Sequence, residues 1–506
     1  MQKIVEMRGI TKTFGNNVAN SEVDFFCNRG EVLCLLGENG AGKTTLMNVL
    51  YGRYRPDSGS ILFDGKPVKI SSPRDAISMG IQMVHQHFML VPTLSVADNV
   101  VIGRETCRHG LYDRKEAAET VRRLSEEYGL EVSPEKLVNE LSVGEQQRVE
   151  IIKALYQGAQ ILILDEPTAV LTPQEVDDLF KVVSRLRESG KTIIIITHKL
   201  KETMAISDRV YVLRQGKMIG ERMTSETSIE ELSELMVGHK VSKVLRESMK
   251  PGETVVEMEH VSMKNAKGVQ VLKDISLSIR EHEILGIAGV EGNGQMELIE
   301  VLSALSTGWE GKVFYKGTSM KGRSTAELLA DGVSCIHADR QTYSVTMDLE
   351  VPENFLMGYQ QTQDYRKNKW LIDWPKVIKK SKDLMEEYDV RPRDIERKLS
   401  EFSGGNQQKF VVGREMQRDP KFMIAAHPTR GVDIMATAFI HDQLNKQKKA
   451  GGCVLLISSD LDELMEMSDR IAVIYDGKIV DCRPAEDYTT MELGRLMGGG
   501  QADGKD

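Results

Sequence analysis

At 506 residues the chain is too long for a single core, so two or more domains are expected. Charged residues make up 28% and hydrophobic ones 41%, the balance of an ordinary soluble globular protein. The formal net charge of −9 argues against a surface built to hold nucleic acid phosphates, and no apolar run approaches the roughly 18 residues that span a bilayer.

The opening stretch, MQKIVEMRGITKTFG, lacks the continuous apolar segment of a signal peptide. Whatever the protein does at a membrane, it is expected to do from outside the lipid. The six cysteines (Cys27, Cys34, Cys107, Cys335, Cys453 and Cys482) form no C-x-x-C pair, so neither zinc nor a redox centre is suggested. They read as buried, reduced thiols of a cytosolic protein.

Taken in chain order, the first strong element is the apolar strand EVLCLL, which runs into GENGAGKTT and then into the helical LMNVLYG. Gly37, Glu38, Asn39, Gly40, Ala41, Gly42, Lys43, Thr44 and Thr45 match G-x-x-x-x-G-K-[ST] in the strand–loop–helix setting that gives the motif its meaning. Glycines let backbone N–H groups close around phosphate oxygens, and the next helix points its positive end there. Lys43 can reach the outer phosphates, and the Thr44 hydroxyl can ligate Mg²⁺. A chance glycine loop is the alternative.

Further along, the runs ILIL and TIIIIT read as fully buried parallel strands, alternating with amphipathic helices such as EVDDLFKVVSRLRESG. The first of these strands delivers Asp165 at its carboxyl end, where open α/β sheets bind ligands. Asp165 is placed to hold Mg²⁺ through its water shell. Glu166, next to it, is the candidate to orient and polarise an attacking water, with a salt-bridging role as the alternative.

The whole pattern then repeats. GIQMVHQ answers to GVSCIHA, VADNVVIG to VPENFLMG, LSVGEQQRV to FSGGNQQKF, and SDRVYVLRQGK to SDRIAVIYDGK. Gly80 and Gly332 stand 252 residues apart, Ser207 and Ser468 stand 261 apart, so the repeat is of whole domains. The polar stretch VGHKVSKVLRESMKPGET reads as a linker. The expected division is a first domain over 3–238, a linker over 239–254 and a second domain over 255–500, each of the α/β class.

LSVGEQQR, following a phosphate loop and preceding a strand that ends in Asp-Glu and then THK, resembles the signature of the ATP-binding cassette ATPases, over nearly all of both halves. That resemblance implies two tandem P-loop NTPase domains, each with a RecA-like core, an antiparallel β subdomain and an α-helical subdomain. It implies that Phe14 stacks on adenine, a plain core Phe being the alternative, that Gln86 ligates Mg²⁺ and senses a membrane subunit, and that His198 contacts the γ-phosphate. His85 and His87 flank Gln86, with too few further ligands nearby for a metal site.

The second half is eroded at matching positions. Gln295 and Met296 stand where Lys43 and Thr44 do, Ala426 and His427 replace Asp165 and Glu166, Ala338 replaces Gln86, Ser459 replaces His198, and Asn265 stands roughly for Phe14. Gln295 carries no charge for phosphates, and Met296 is a poor ligand for a hard cation. Yet Ser403, Gly404 and Gly405 form a good signature, and Asp433 matches the family's interface aspartate where the first half has Thr172.

Such cassettes resemble one another in closing head-to-tail, each ATP lying between one phosphate loop and the opposite signature. One site would then join Lys43, Thr44, Asp165, Glu166 and His198 to Ser403, Gly404, Gly405 and Asp433, and every part is present. The other would join Gln295, Ala426, His427 and Ser459 to Ser142, Val143, Gly144 and Thr172, and nearly every part is compromised. One hydrolytic site per chain is expected.

Two fused cassettes with a short linker resemble the ATP-binding subunits of bacterial importers for simple sugars and nucleosides, and AAHPTRGVD lies nearer the nucleoside branch. That resemblance implies ATP and Mg²⁺ as cofactors, two permease subunits and an external solute-binding protein as partners, no nucleic acid, and peripheral association with the cytoplasmic face of the cell membrane. Segments between Phe88 and Leu141 and between Gln341 and Phe402 would form the permease surface. The insert YQQTQDYRKNKW reads as a solvated loop or, alternatively, a partner contact. Soluble twin-cassette ATPases of ribosomes or DNA repair, and a non-catalytic scaffold, are the other readings.

Overall fold

The computed structural model describes residues 2–500 apart from 16, 87, 109–110, 170 and 240–243. It divides the chain into two compact units, Met1–Val241 and Ser242–Asp506.

In the first unit a six-stranded sheet has the order Lys217–Met223, Arg209–Arg214, Val32–Leu36, Thr192–Thr197, Ile161–Asp165, Ile81–Val84. Every pairing is parallel except the antiparallel hairpin at the first edge. All residues of VLCLL, ILILD and TIIIIT are buried, because both faces of these strands are covered. One face packs with the helix Lys43–Leu50 and with a four-stranded antiparallel sheet, ordered Asn17–Asn28, Lys3–Phe14, Ser58–Phe63, Lys66–Val68. Val5, Met7 and Ile10 turn into that core while Arg8 faces out, and a register shift between Met7 and Ile10 breaks the strict alternation.

Register decides where the loops emerge. Leu36 lies beside Thr197, and Ile196 beside Asp165, so these parallel strands end level and deliver their loops to one edge. A helical part, Val96–Val101, Arg114–Tyr128 and Val143–Tyr156, packs around buried Val100, Val101, Ala117 and Val121. Asn99 ties it down: buried, it donates to the carbonyls of Val91 and Ser95 and accepts from the Val91 amide at 2.7 Å.

The second unit repeats this design. Its six-stranded sheet runs Val333–Ile336, Phe422–Ala426, Cys453–Ser458, Ile284–Ala288, Arg470–Tyr475, Lys478–Pro484, and its antiparallel sheet runs Gln270–Arg280, Thr254–Lys264, Trp309–Tyr315, Thr318–Ser319. Asn354 reproduces the bonds of Asn99, to Thr346, Leu349 and Glu350. Each unit thus has the three parts expected of a cassette.

Part of the stretch read as a linker is fixed. Lys448, fully buried and paired with Asp469 at 2.7 Å, donates to the Glu247 carbonyl, and Asn445 donates to that of Leu245 at 3.0 Å. Polar composition concealed a strap on the second unit. The cysteines are all free; Cys27, Cys34 and Cys453 are buried, but Cys107 departs from the expectation because it starts an exposed hairpin. No described helix is long and apolar enough to cross a membrane.

Candidate functional site

The glycine loop of the first unit is held from behind. Gly42 has φ 99°, and a Cβ there would stand 2.2 Å from the Ala19 carbonyl oxygen, so both conformation and space require glycine. Asn20 donates to the Gly42 carbonyl at 3.2 Å, bracing the loop with the antiparallel sheet. The helix Lys43–Leu50 begins immediately. Lys43 is buried, and its Nζ donates to the carbonyls of Gly37 at 2.7 Å and Glu38 at 2.9 Å. Burial lowers its pKa against the opposing charges of Glu166 and Asp165.

Those two carboxylates have opposite environments. Asp165 closes its strand in a buried position, and burial together with the charge of Glu166 pushes its pKa up to about 6. The Thr44 hydroxyl donates to its Oδ1 at 3.3 Å. Burial would raise Glu166 as well, but the His198 hydrogen bond, with the charges of His198, Lys43 and Lys199, holds it below its ordinary value. Glu166 sits in the left-handed region, φ 47°, with its amide bonded to the Ile196 carbonyl at 2.9 Å. Its Oε1 lies 3.1 Å from His198 Nδ1, and its Oε2 accepts from Gln86 Nε2 at 3.3 Å.

Thus Lys43, Thr44, Gln86, Asp165, Glu166 and His198, drawn from four loops, meet at one edge of one sheet. Phe14 stands out from the core: its ring is 43% exposed and meets Tyr54 edge-on at 5.2 Å, which removes the core-residue alternative. His87 lies outside the described residues, and among those described no group of three or more His, Cys, Asp or Glu could hold a metal ion.

Sequence reasoning missed the supports of this edge. Thr168 donates to Glu202, and Lys199 bonds both Glu202, at 3.0 Å, and the Thr168 carbonyl, at 3.1 Å. In the second unit Thr429 donates to Glu463 at 2.8 Å, and buried His441 does what Lys199 does, its Nε2 2.9 Å from Glu463. Aligning the two halves could have found Glu202 and Glu463, which are identical at matching positions; His441 sits on another helix and left no such signal.

In the second unit the eroded loop is filled by its own side chain. Gln295 is buried, donates to the Val290 carbonyl at 2.9 Å and accepts the Asn293 amide at 3.1 Å. Glu291 on the same loop pairs with Arg430 at 2.9 Å. Asn265, at the place of Phe14, closes a hairpin turn by accepting from the amides of Lys267 and Val269. His427 keeps the backbone of Glu166, φ 45° with its amide on the Ile457 carbonyl at 2.7 Å, although the acid is gone.

The signature edge of that unit is built differently from the first. Ser142 caps the helix Val143–Tyr156, and the Glu145 carboxylate accepts the Ser142 amide at 2.8 Å, so a negative charge already occupies the helix N-terminus. Asn406 stands in place of Glu145; it donates to Ser403 Oγ at 2.9 Å, and Ser403 makes no side-chain cap to the helix Gly404–Met416. Asp433 caps the helix Ile434–Lys449 through the Ala436 amide at 2.7 Å, and a Cβ on Gly405 would come 3.5 Å from its Oδ2. Ser403, Gly404, Gly405 and Asp433 therefore share one edge. Arg340, also missed, lies against them: a Cβ on Gly404 would come 2.7 Å from its Nη2, and it pairs with no carboxylate among the described residues.

Residues 21–169 and 272–430 match the family described as ABC transporter. Over 504 residues the chain is 44% identical to the guanosine import ATP-binding protein NupO of Bacillus subtilis, covering 99% of this chain and 98% of that protein. It is 41% identical over 500 residues to the nucleoside import ATP-binding protein NupA of Lactococcus lactis, covering 99% of each. It is 39% identical over 499 residues to a ribose import ATP-binding protein, RbsA 1 of Rubrobacter xylanophilus, covering 98% of each. Two family matches, one in each unit, and likeness that runs the full length of these relatives lead to one assignment: the chain belongs to the ABC transporter family, as an ATPase carrying two ATP-binding cassettes in tandem.

Proposed function

We propose that this ATPase powers import of a small solute, a nucleoside first and a simple sugar second, through a separate permease pair served by an external solute-binding protein. It works at the cytoplasmic face of the membrane, held there through the permease. The observation that carries this reading is the full-length likeness to proteins named for guanosine and nucleoside import, at 44% and 41%, ahead of the ribose protein at 39%.

We further propose one hydrolytic site per chain. Lys43 leaves the Gly37 and Glu38 carbonyls to meet the outer phosphates. Thr44, Gln86 and Asp165 offer hard oxygen donors suited to Mg²⁺, which would neutralise charge on the bound phosphates. Glu166, kept ionised by its surroundings, orients the attacking water, and His198 fixes Glu166 while facing the γ-phosphate. Ser403, Gly404, Gly405 and Asp433 of the second unit would bind nucleotide as well; among the described residues no carboxylate caps the signature helix there as Glu145 does in the first. Gln295, uncharged where Lys43 is cationic, together with Ala426 and His427 in place of the two acids, supports a second site without turnover.

The test is solute uptake by vesicles holding the permease and this subunit, with guanosine, other nucleosides and ribose offered in turn. ATP-dependent nucleoside uptake that Glu166→Gln abolishes is expected. Uptake of ribose alone would move the assignment to sugars, and fractionation solely with ribosomes would defeat the importer reading.

A further inference from the structure

In the second unit the strands Arg366–Asn368 and Leu371–Ile372 form a hairpin with Lys369 and Trp370 at its tip. Trp370 is 85% exposed and Leu371 58%, and Trp374 and Ile378 continue the exposed apolar row along the helix Trp374–Glu387. The tip is braced by local bonds. Asn368 Oδ1 accepts from the amides of Trp370 at 2.9 Å and Leu371 at 3.1 Å. At the base, buried Tyr365 packs edge-on against Phe355 at 5.6 Å and Tyr359 at 5.4 Å.

The charge around this tip runs against that of the chain. Residues 366–382 hold seven basic residues and one carboxylate, a net of +6 within a protein of net −9. Lys376 pairs with Asp364 at 3.7 Å; Lys367, Lys369, Lys379, Lys380 and Lys382 are exposed and make no ion pair among the described residues. The acids Asp383, Glu386 and Glu387 lie beyond, toward the far end of the helix. The matching stretch of the first unit, residues 106–122, carries four basic residues and three carboxylates. The basic, aromatic tip is a property of one unit only.

Indole rings settle at the headgroup level of a bilayer, and lysines beside them are drawn to anionic lipid. We propose that the hairpin 366–372 and the first turns of the helix that follows bind anionic lipid headgroups directly. The inference rests on the reading of the chain as a subunit that works at the membrane face. It gives the ATPase a foothold on the lipid beside its hold on the permease. A nucleic acid would also attract lysines, but a fixed, exposed Trp–Leu pair fits the interface of a lipid layer.

The test uses the purified full chain without permease, floated with vesicles of phosphatidylcholine with or without phosphatidylglycerol. Binding to the anionic vesicles only, weakened by salt, with a blue shift of tryptophan emission, is expected. Each lysine neutralised should cost about fivefold in partition, so a K367Q/K369Q/K379Q/K380Q variant should lose binding by up to about 600-fold. W370A should weaken partition and W370A/W374A should also lose the blue shift, while nucleotide binding stays intact. Equal binding to neutral vesicles, none to either, or binding indifferent to these variants would overturn the proposal, as would preference for single-stranded DNA over vesicles. Variants that keep vesicle binding but no longer co-purify with the permease from solubilised membranes would mark the tip as a protein contact and also overturn it. Failure of the unaltered chain to co-purify with any permease, with vesicle binding unchanged, would defeat the importer reading instead and leave the lipid surface standing.

Discussion

The Glu166 carboxylate and the His198 imidazole are joined directly, Oε1 to Nδ1 at 3.1 Å, although 32 residues separate them in the chain. The acid proposed to orient water and the residue proposed to face the γ-phosphate are thereby one unit, with Gln86 on the other carboxylate oxygen at 3.3 Å.

From this it follows that Glu166→Gln should lower turnover by about 10²–10⁴-fold while ATP binding is retained, since only the base is lost. Single-turnover hydrolysis and equilibrium binding measured on the same protein check it. Near-normal turnover would sink the one-site scheme.

Phe14 predicts a split between binding and chemistry. Its exposed ring, set against Tyr54, offers a face to adenine, and stacking is worth about 1–3 kcal/mol per base. Phe14→Ala should therefore raise KM for ATP by roughly 5- to 150-fold with kcat little changed. An unchanged KM would return the ring to a structural role.

The filled loop around Gln295 predicts the count of bound nucleotide. Equilibrium dialysis of the Glu166→Gln chain should give one ATP per chain. Lys43→Ala should weaken that one by about 10- to 100-fold, the worth of a charged hydrogen bond. Two tight sites would show that the Gln295 loop opens to phosphate.

Glu463 predicts an acid limit on the second unit. Burial would raise this carboxyl, but His441, Ser458 and Thr429 hold it below the ordinary value of 4.5. A depressed carboxylate stabilises the fold above its unfolded pKa and loses that contribution as pH falls through the folded one. Stability of the second unit should therefore fall below about pH 4.5, and Glu463→Gln should flatten that fall. His441→Ala at neutral pH should destabilise by about 3 kcal/mol, because it leaves a buried charge unpaired. Tryptophans 309, 370 and 374 all lie in the second unit, so denaturant unfolding followed by their fluorescence reads it alone.

The site was legible where its chemistry sits in contiguous motifs. Lys43 and Thr44 belong to one loop, Asp165 and Glu166 to one strand end, and strand register then brings those ends level. What stayed hidden depends on tertiary proximity. Tyr54 beside Phe14, Arg340 against Gly404, His441 on Glu463 and Lys448 under the strap are all brought to their partners by packing. Trp370 was visible as a letter, but the solvated loop read there is a braced hairpin. Even the change at the glycine loop has a form that no alignment of the halves conveys: Gln295 bonds the Val290 carbonyl as Lys43 bonds that of Glu38, and it also takes the Asn293 amide.

The matching left-handed turns at Glu166 and His427, φ 47° and 45°, have a mechanical meaning. Such a conformation costs a non-glycine residue about 1–2 kcal/mol, and the second unit bears that cost with no acid to present. What the turn still does there is measure. From His427 the chain needs six residues to reach the helix cap at Asp433, as it does from Glu166 to Thr172. The turn acts as a ruler that fixes how far a carboxylate at its end can reach. The second cassette has given up the blade of this tool and kept its handle.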